Sequence, residues 1–241
     1  INAQPLYAQG VGRISLSKVI LMERVCGAYG KMPSLGDFFR IGLPRSFCEP
    51  WDTWLQTVLI SSRAALGEAW QDHYMSAPIW RFSLSAGLTG SHKVVGVLMP
   101  SVDRVGRRFP LTLMAPLTGA GPVSRDHFRG NAMFEALEAL ALDALEDDMS
   151  RERLEQRLAE LSPPASAPAP LLRKVGRSFV MIHDDITADL AAEQVNNGWA
   201  QPSVWSATVG DSQRLMVCDG LPEGPEAHGL FNLDSSIWRT G

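Results

Sequence analysis

Two short apolar runs flank a polar turn in residues 96–113, GVLMPSVDRVGRRFPLTL. The first run, 94–99, ends at Pro100, and the second, 109–117, begins after Arg108. Both runs are short and almost continuously apolar, which is typical of strands that are buried on both faces. We therefore predict two neighbouring strands that are joined by a compact polar corner.

The corner between these strands concentrates charge in a few residues. It holds one aspartate, Asp103, and three arginines, Arg104, Arg107 and Arg108, next to Ser101. Arginine beside a carboxylate can form a bidentate, charge-assisted pair that fixes the shape of a turn. Two interpretations stay open at this point. The corner is either a salt-bridged structural element or a recognition surface at the strand ends, where open α/β sheets often place a site.

A second shaped loop follows a predicted first strand at residues 25–29. Residues 30–39 are GKMPSLGDFF, and two glycines and one proline within seven residues force a defined loop conformation. Gly30-Lys31 suggests a phosphate-binding loop at first sight. The Walker spacing is absent, however, so the nucleotide-site signal is weak.

Periodicity predicts the remaining elements. Trp51 and Trp54 lie on one apolar stripe of a helix that begins at Pro50, a favourable first-turn residue, and this stripe faces a core. The predicted helices cover 50–66, 66–75, 124–147 with Ser124 as N-cap, a segment from Ser150, 186–195 and 225–233. The predicted strands, besides those above, cover 79–84, 179–182, 203–208 and 214–218. Strands 79–84, 94–99 and 109–117 follow one another, so we predict that they are antiparallel.

Composition excludes several classes of function. The chain has 241 residues, 45% hydrophobic and 20% charged, with a net charge of -4, which argues against a nucleic-acid surface. Three cysteines, Cys26, Cys48 and Cys218, are far apart and odd in number, which fits a reducing compartment and gives no metal spacing. No apolar run approaches the roughly 18 residues of a membrane helix, so we expect no membrane insertion.

The chain has one convincing internal boundary, a Pro/Ala-rich linker at residues 162–170. The tail after it is short, so we expect it to complete the first sheet and predict one α/β domain over residues 22–241. Residues 1–21 precede the first convincing start, Met22. We interpret them as an extension outside the core, the alternative being an added edge strand or helix.

Catalytic and metal-binding signatures are weak. No G-x-S-x-G elbow is present, and the five histidines are scattered singly. His183, Asp184 and Asp185 are adjacent, but side chains on a strand alternate, so three neighbours cannot face one ion, and Asp185 is better explained as a helix cap. We predict no catalytic residue, cofactor or metal. The alternative is a small hydrolase or phosphate-ester-binding enzyme that uses Ser101 or the Gly30-Lys31 loop.

Ordered motifs occur at residues 29–38, 43–55, 77–82, 96–107 and 109–111, and weaker ones occur at 203–206 and 218–222. Together they resemble the TagF/ImpM family of type VI secretion-associated proteins of Gram-negative bacteria. In this family the second aromatic of a Trp pair stands where this chain has Ser206. The resemblance implies a three-layer α-β-α sandwich around a mixed, largely antiparallel sheet.

The resemblance also implies a function. Family members act in the cytoplasm as post-translational repressors of type VI secretion by binding the system's forkhead-associated-domain protein, and some are joined to a phosphatase domain. We therefore expect a non-enzymatic regulator, with a structural component of the secretion apparatus as another class. Rigid polar loops flanked by core strands are suitable for partner binding. The candidate contact residues are Lys31, Ser34, Asp37, Ser101, Asp103, Arg104 and Arg107. Alternatively, Asp37, Asp103, Arg104 and Arg107 pair with one another in a buried network.

Overall fold

A seven-stranded sheet runs through the centre of the computed structural model, which describes residues 25–163, 165–166 and 170–239. Its strands are β1 (Gly27–Gly30), β2 (Phe39–Ile41), β3 (Trp80–Leu84), β4 (Lys93–Met99), β5 (Leu111–Leu117), β8 (Pro202–Val209) and β9 (Ser212–Asp219). Two further strands, β6 (Leu171–Val175) and β7 (Ser178–Ile182), form a separate hairpin. The order across the large sheet is β2-β1-β5-β4-β3-β8-β9, and every neighbouring pair is antiparallel.

Helices cover both faces of this sheet. They are α1 (Arg45–Leu66), α2 (Trp70–Ser76), α3 (Val123–Arg129), α4 (Asn131–Asp143), α5 (Arg151–Glu160), α6 (Ile186–Asn196) and α7 (Gly224–Gly229), with 3-10 turns at Gly67–Ala69 and Ser236–Trp238. No helix in the described ranges is both long and apolar enough to cross a membrane.

The period-two alternation of the strands divides the interior into two cores. In β4, Val94 and Leu98 belong to the core that contains Trp51 of α1, whereas Val95 and Val97 belong to the core on the other face. Helices α1, α2 and α7 contribute to the first core and α4 and α5 to the second. The predicted α/β class is confirmed, and the sheet lies between two helical layers.

The first core is built around aromatic rings. Trp51 packs at 4.7 Å from Trp54, 5.0 Å from Phe82 and 6.3 Å from Trp205, measured between ring centroids. The indole N–H of Trp51 donates to the hydroxyl of Thr112 on β5 at 2.9 Å. Each buried indole that has such a partner contributes its large apolar area without the cost of an unpaired donor.

Two predicted helices differ from the structure. Helix α1 begins at Arg45 and not at Pro50, because the carbonyl of Pro44 already accepts bonds from Phe47 N at 3.2 Å and Cys48 N at 3.1 Å. Pro50 therefore lies inside the helix. The predicted helix 124–147 is two helices, α3 and α4, which meet at Gly130.

The break at Gly130 has a steric basis. A Cβ there would lie 2.6 Å from the carbonyl oxygen of Asp126, a contact that side-chain-bearing residues cannot make without a shift of the backbone. Ser124, the predicted N-cap, lies inside α3, where its hydroxyl donates to the carbonyl of Ala192 at 3.1 Å. The N-cap position belongs to Pro122 instead.

The predictions for the N-terminal extension, the linker and the strands near the linker had different outcomes. The predicted extension 1–21 and the start at Met22 lie outside the described residues, as do residues 164 and 167–169 of the linker. Ala165 forms a parallel bridge with Thr118, and β8 and β9 extend the large sheet from β3. Strand β6 was not predicted, because its five residues are all exposed and a strand without a buried face has no apolar alternation.

Candidate functional site

The corner of residues 100–110 lies beside the upstream loop of residues 31–38. Strand β1 pairs with β5 with Tyr29 opposite Thr112, so the end of β1 and the start of β5 share one end of the sheet. Gly30 makes this approach possible: its φ is +133°, and a Cβ there would lie 2.1 Å from the carbonyl oxygen of Pro110. The two polar loops singled out in the sequence are therefore brought together.

Asp103 is the centre of the contact between these loops. Its Oδ2 accepts from the ammonium of Lys31 at 2.9 Å and from Arg107 Nε at 2.6 Å. Its Oδ1 accepts from the backbone N–H groups of Val105 at 3.1 Å and Arg107 at 2.9 Å. One buried carboxylate thus accepts four hydrogen bonds, which satisfies both of its oxygens.

These bonds determine the charge state of Asp103. Burial alone would raise the pKa of this carboxyl group. The opposing hydrogen bonds from Lys31, from the backbone and side chain of Arg107 and from the N–H of Val105 outweigh burial and hold the pKa well below its usual range. Asp103 is therefore ionised at neutral pH, and its negative charge is the centre of the hydrogen bonds that hold the corner.

Arg104 and Arg107 tie the corner to the upstream loop. The backbone N–H of Arg104 donates to the carbonyl of Leu35 at 2.8 Å, and Arg107 Nη2 donates to the carbonyl of Gly36 at 2.6 Å. Asp37 does not join this network within the described part of the chain, since its Oδ1 accepts from the N–H of Phe38 at 2.8 Å. Of the four residues in the alternative buried network, Asp103 and Arg107 pair through their side chains, and Lys31 also donates to Asp103.

Burial separates the seven predicted contact residues into three groups. Lys31, Ser101 and Asp103 are 5%, 1% and 2% exposed, so they hold the corner together from below its surface. Asp37, Arg104 and Arg107 are outward-facing, and Ser34 is half-buried. The buried three cannot touch a partner directly, because a contact residue needs surface that is accessible before binding.

Two exposed apolar side chains complete the outer surface of the corner. Val105, at the tip of the corner, is 68% exposed, and Phe38 is 45% exposed. The Phe38 ring lies 4.7 Å from the ring of Phe109 and 4.7 Å from the Lys31 ammonium. Neither Val105 nor Phe38 is among the contact residues predicted from the sequence. The sequence signal that could have identified them is a large apolar residue within each polar loop. We define the corner patch as Asp37, Phe38, Arg104, Val105 and Arg107.

The environment of Ser101 does not resemble that of a nucleophile. The hydroxyl of Ser101 is buried and has no hydrogen-bond partner among the residues that the structure describes, whereas an activated serine needs a base within hydrogen-bond reach. Its backbone is fully engaged instead. Ser101 N donates to the hydroxyl of Tyr74 at 3.0 Å, and the same hydroxyl donates to Ser101 O at 2.8 Å. The Lys31 ammonium is likewise occupied by Asp103.

Two of the five histidines contact neighbouring polar side chains inside the fold. His127 is buried with Ser83 Oγ 2.9 Å from Nδ1 and Ser206 Oγ 2.9 Å from Nε2. Burial, together with the charge of Arg81, lowers the pKa of His127 to about 3, so the ring is neutral at physiological pH. His183 Nδ1 lies 2.6 Å from Asp189 of helix α6.

The His183–Asp185 segment forms a helix start. Asp185 accepts from Ala188 N at 3.0 Å, which confirms the predicted cap of α6. Across the described ranges, no group of three or more His, Cys, Asp or Glu side chains is arranged to hold a metal ion. The three cysteines are free thiols.

Comparisons with known proteins agree with the motifs at this corner. Residues 27–161 match the TagF N-terminal domain family, described as type VI secretion system-associated. The fold is similar to the crystal structure of PA0076 from Pseudomonas aeruginosa PAO1, with a TM-score of 0.72 and 33% sequence identity over 90% of this chain and 98% of that chain. No curated protein matches the chain. The chain therefore belongs to the TagF family of type VI secretion system-associated proteins.

Proposed function

We propose that this protein is a non-enzymatic, cytoplasmic regulator of type VI secretion that represses the system by binding its forkhead-associated-domain component. Family membership supports the secretion role, and the corner patch supports action through binding. The identity of the partner comes from the resemblance to the TagF/ImpM family.

The observation that carries the proposal is the combination of rigidity and exposure at the corner patch. Val105 and Phe38 present apolar surface, while Arg104 and Arg107 present charge beside it. The loops under them are fixed by the four bonds to Asp103, so little conformational entropy is lost when a partner docks. Exposed apolar residues rimmed by charge are typical of protein-binding sites.

The direct test uses changes that do not touch the buried network. Arg104→Glu combined with Val105→Ser alters only outward-facing side chains, so the fold should persist. We expect the purified variant to lose at least about tenfold in affinity for the forkhead-associated-domain component, measured by calorimetry. Arg45→Glu, an exposed change on α1, is the matched control. Unchanged affinity of the double variant would rule out the corner patch as the contact surface.

Repression is tested separately in the host. Deletion of the gene should increase release of the secreted tube protein, and complementation with the wild-type chain should reverse the effect. Unchanged or decreased release would contradict repression. Co-sedimentation of the protein with assembled sheath would favour a structural component of the apparatus instead.

A further inference from the structure

The hairpin of β6 and β7, residues 171–182, stands apart from the large sheet. Its two strands pair only with each other in the described structure, with Leu171 opposite Ile182 and Val175 opposite Ser178. We call these residues the hairpin arm. An isolated two-stranded hairpin is marginally stable in water, and a third strand or a packed surface is what normally stabilises it.

The hairpin arm carries apolar side chains that face solvent. Leu171 and Ile182 are 60% and 61% exposed, and residues directly opposite in an antiparallel pair lie on the same face. Val175, on that face as well, is 49% exposed, and Leu172 on the other face is 41% exposed. Adjacent exposed apolar side chains on one short element mark an interaction surface.

The same arm is strongly basic. Arg173, Lys174 and Arg177 are all exposed, and residues 171–182 contain no acidic side chain, whereas the whole chain has a net charge of -4. A local positive charge on a negative molecule attracts acidic groups and orients them at this one place. The arm therefore favours a ligand with carboxylates.

The edges of the arm indicate the form of that ligand. Every residue of β6 is exposed, and no third strand in the described part of the chain pairs with it, so a row of backbone N–H and C=O groups faces outward. Such an edge is a template for an added strand, in which the backbone supplies affinity and alternate side chains supply specificity.

We propose that the hairpin arm docks an extended segment of a partner protein, rich in alternating acidic and apolar residues, by strand addition along β6. Alternate side chains of an added strand lie on opposite faces, so the partner's apolar side chains cover Leu171 and Val175 on one face and its carboxylates pair with Lys174 on the other. Arg173 and Arg177 add positive charge on the same arm. The arm shares no residue with the corner patch, and this inference does not depend on the proposed repressor role.

Two other occupants fit the observations less well. An anionic membrane would be attracted by the same charges, but lipid leaves the β6 backbone groups unpaired. Two copies of the arm paired edge to edge would bring their own basic residues together, and like charges across strands are destabilising.

The test uses the full chain and a short fluorescent peptide that alternates glutamate and valine. We expect saturable binding by fluorescence anisotropy that weakens at about 0.5 M NaCl, where electrostatic screening is strong. A peptide with lysine in place of glutamate should not bind. A glutamate–valine peptide N-methylated at every backbone nitrogen should also fail, because neither of its edges can donate the ladder bonds of an added strand.

Charge reversal locates the site on the protein. The variant R173E/K174E/R177E should bind the peptide about tenfold or more weakly. The control R45E/R151E/R153E changes the net charge equally at other exposed positions and should bind as the wild type does. Circular dichroism and melting temperature verify folding, and K174E alone replaces the triple variant if the latter does not fold.

Several results would overturn the inference. They are absence of binding by the glutamate–valine peptide, equal binding of the lysine or N-methylated peptide, and equal weakening by the control variant. Binding to vesicles with about 30% phosphatidylserine in preference to the peptide would assign the arm to a membrane. Concentration-dependent dimers in sedimentation that disappear in R173E/K174E/R177E would assign it to a second copy of this chain.

Discussion

The ammonium of Lys31 and the carboxylate of Asp103 lie 2.9 Å apart with side chains only 6% and 0% exposed, although 72 positions separate the residues in sequence. This pair joins the upstream loop to the corner, and it is the contact on which the shape of the corner patch depends. Its removal should therefore affect folding before it affects binding.

Replacing the cation tests this dependence. Lys31→Met leaves the buried Asp103 carboxylate with Arg107 as its remaining charged partner, so we expect the free energy of unfolding to fall by roughly 3 kcal/mol. Urea denaturation gives the value. The control is Arg45→Met, whose ion pair with Glu49 is exposed on both sides and should contribute no more than about 0.5 kcal/mol. A loss of similar size in both variants would contradict the interpretation.

The depressed pKa of Asp103 predicts acid sensitivity. In the unfolded chain this carboxyl group titrates near its ordinary value of 3.8, and in the folded chain it titrates below that value. The unfolded state therefore takes up a proton first, so the stabilisation is complete above about pH 4 and is lost as the pH falls further. Melting curves from pH 5 to pH 2.5 should fall steeply for the wild type and less steeply for Asp103→Asn. Parallel curves for the two proteins would exclude this carboxyl as the cause.

The lowered pKa of His127 predicts a second pH range in which the stability of the fold decreases as the pH falls. Its pKa of about 3 in the folded protein lies below the ordinary 6.5, so between these values the unfolded chain binds a proton that the folded chain does not. Stability should decline as the pH falls from about 6.5 to 4. His127→Gln, which cannot be protonated, should remove this part of the decline, whereas Asp103→Asn should retain it. Retention of the full slope in His127→Gln would show that another group is responsible.

The hydrogen bond between Trp51 and Thr112 offers a double-mutant cycle. Thr112→Val removes the acceptor and leaves the buried indole N–H unpaired, at a cost of about 1–3 kcal/mol. In a Trp51→Phe background no indole N–H remains, so the same threonine change should cost less. Thermal or urea unfolding of the four proteins gives the coupling energy. Additive effects would indicate that the bond contributes nothing to stability.

Gly30 and Gly106 form a matched pair for testing the contact between the loops. Both have positive φ, +133° and +81°, so alanine is strained at either position. Only at Gly30 would the new Cβ meet the backbone, 2.1 Å from the oxygen of Pro110, whereas at Gly106 no atom lies within 4 Å. Gly30→Ala should therefore lower the melting temperature well beyond Gly106→Ala. The reverse order would mean that the close approach of the loops is not what requires glycine.

The sequence predicted the parts of the fold that have a strong local signal. The apolar runs on either side of Asp103 gave β4 and β5, because strands buried on both faces are continuous apolar segments. The partners of Asp103 were not fully predictable, since Lys31 reaches it only through the pairing of β1 with β5. The alternative interpretation placed Asp37 in the network, but its side chain bonds to the neighbouring N–H of Phe38 instead.

The errors also have physical reasons. Pro50 is a favourable first-turn residue, but Pro44 provides the carbonyl that starts the helix five residues earlier than predicted. Strand β6 escaped detection because burial, the source of apolar alternation, is absent there. Burial also decided the candidate site: sequence cannot distinguish a lysine that faces a partner from one that supports the loop beneath it.

The place of Trp205 in the sheet has a practical consequence. The family match ends at residue 161, yet β8 is hydrogen-bonded along β3, and the Trp205 ring lies 5.4 Å from Phe82 and 6.3 Å from Trp51. A recombinant fragment cut after residue 161 would leave the outer edge of β3 unpaired and would lack the Trp205 ring of the aromatic core. We expect such a fragment to precipitate on expression, so biochemical work on this protein should keep the tail attached.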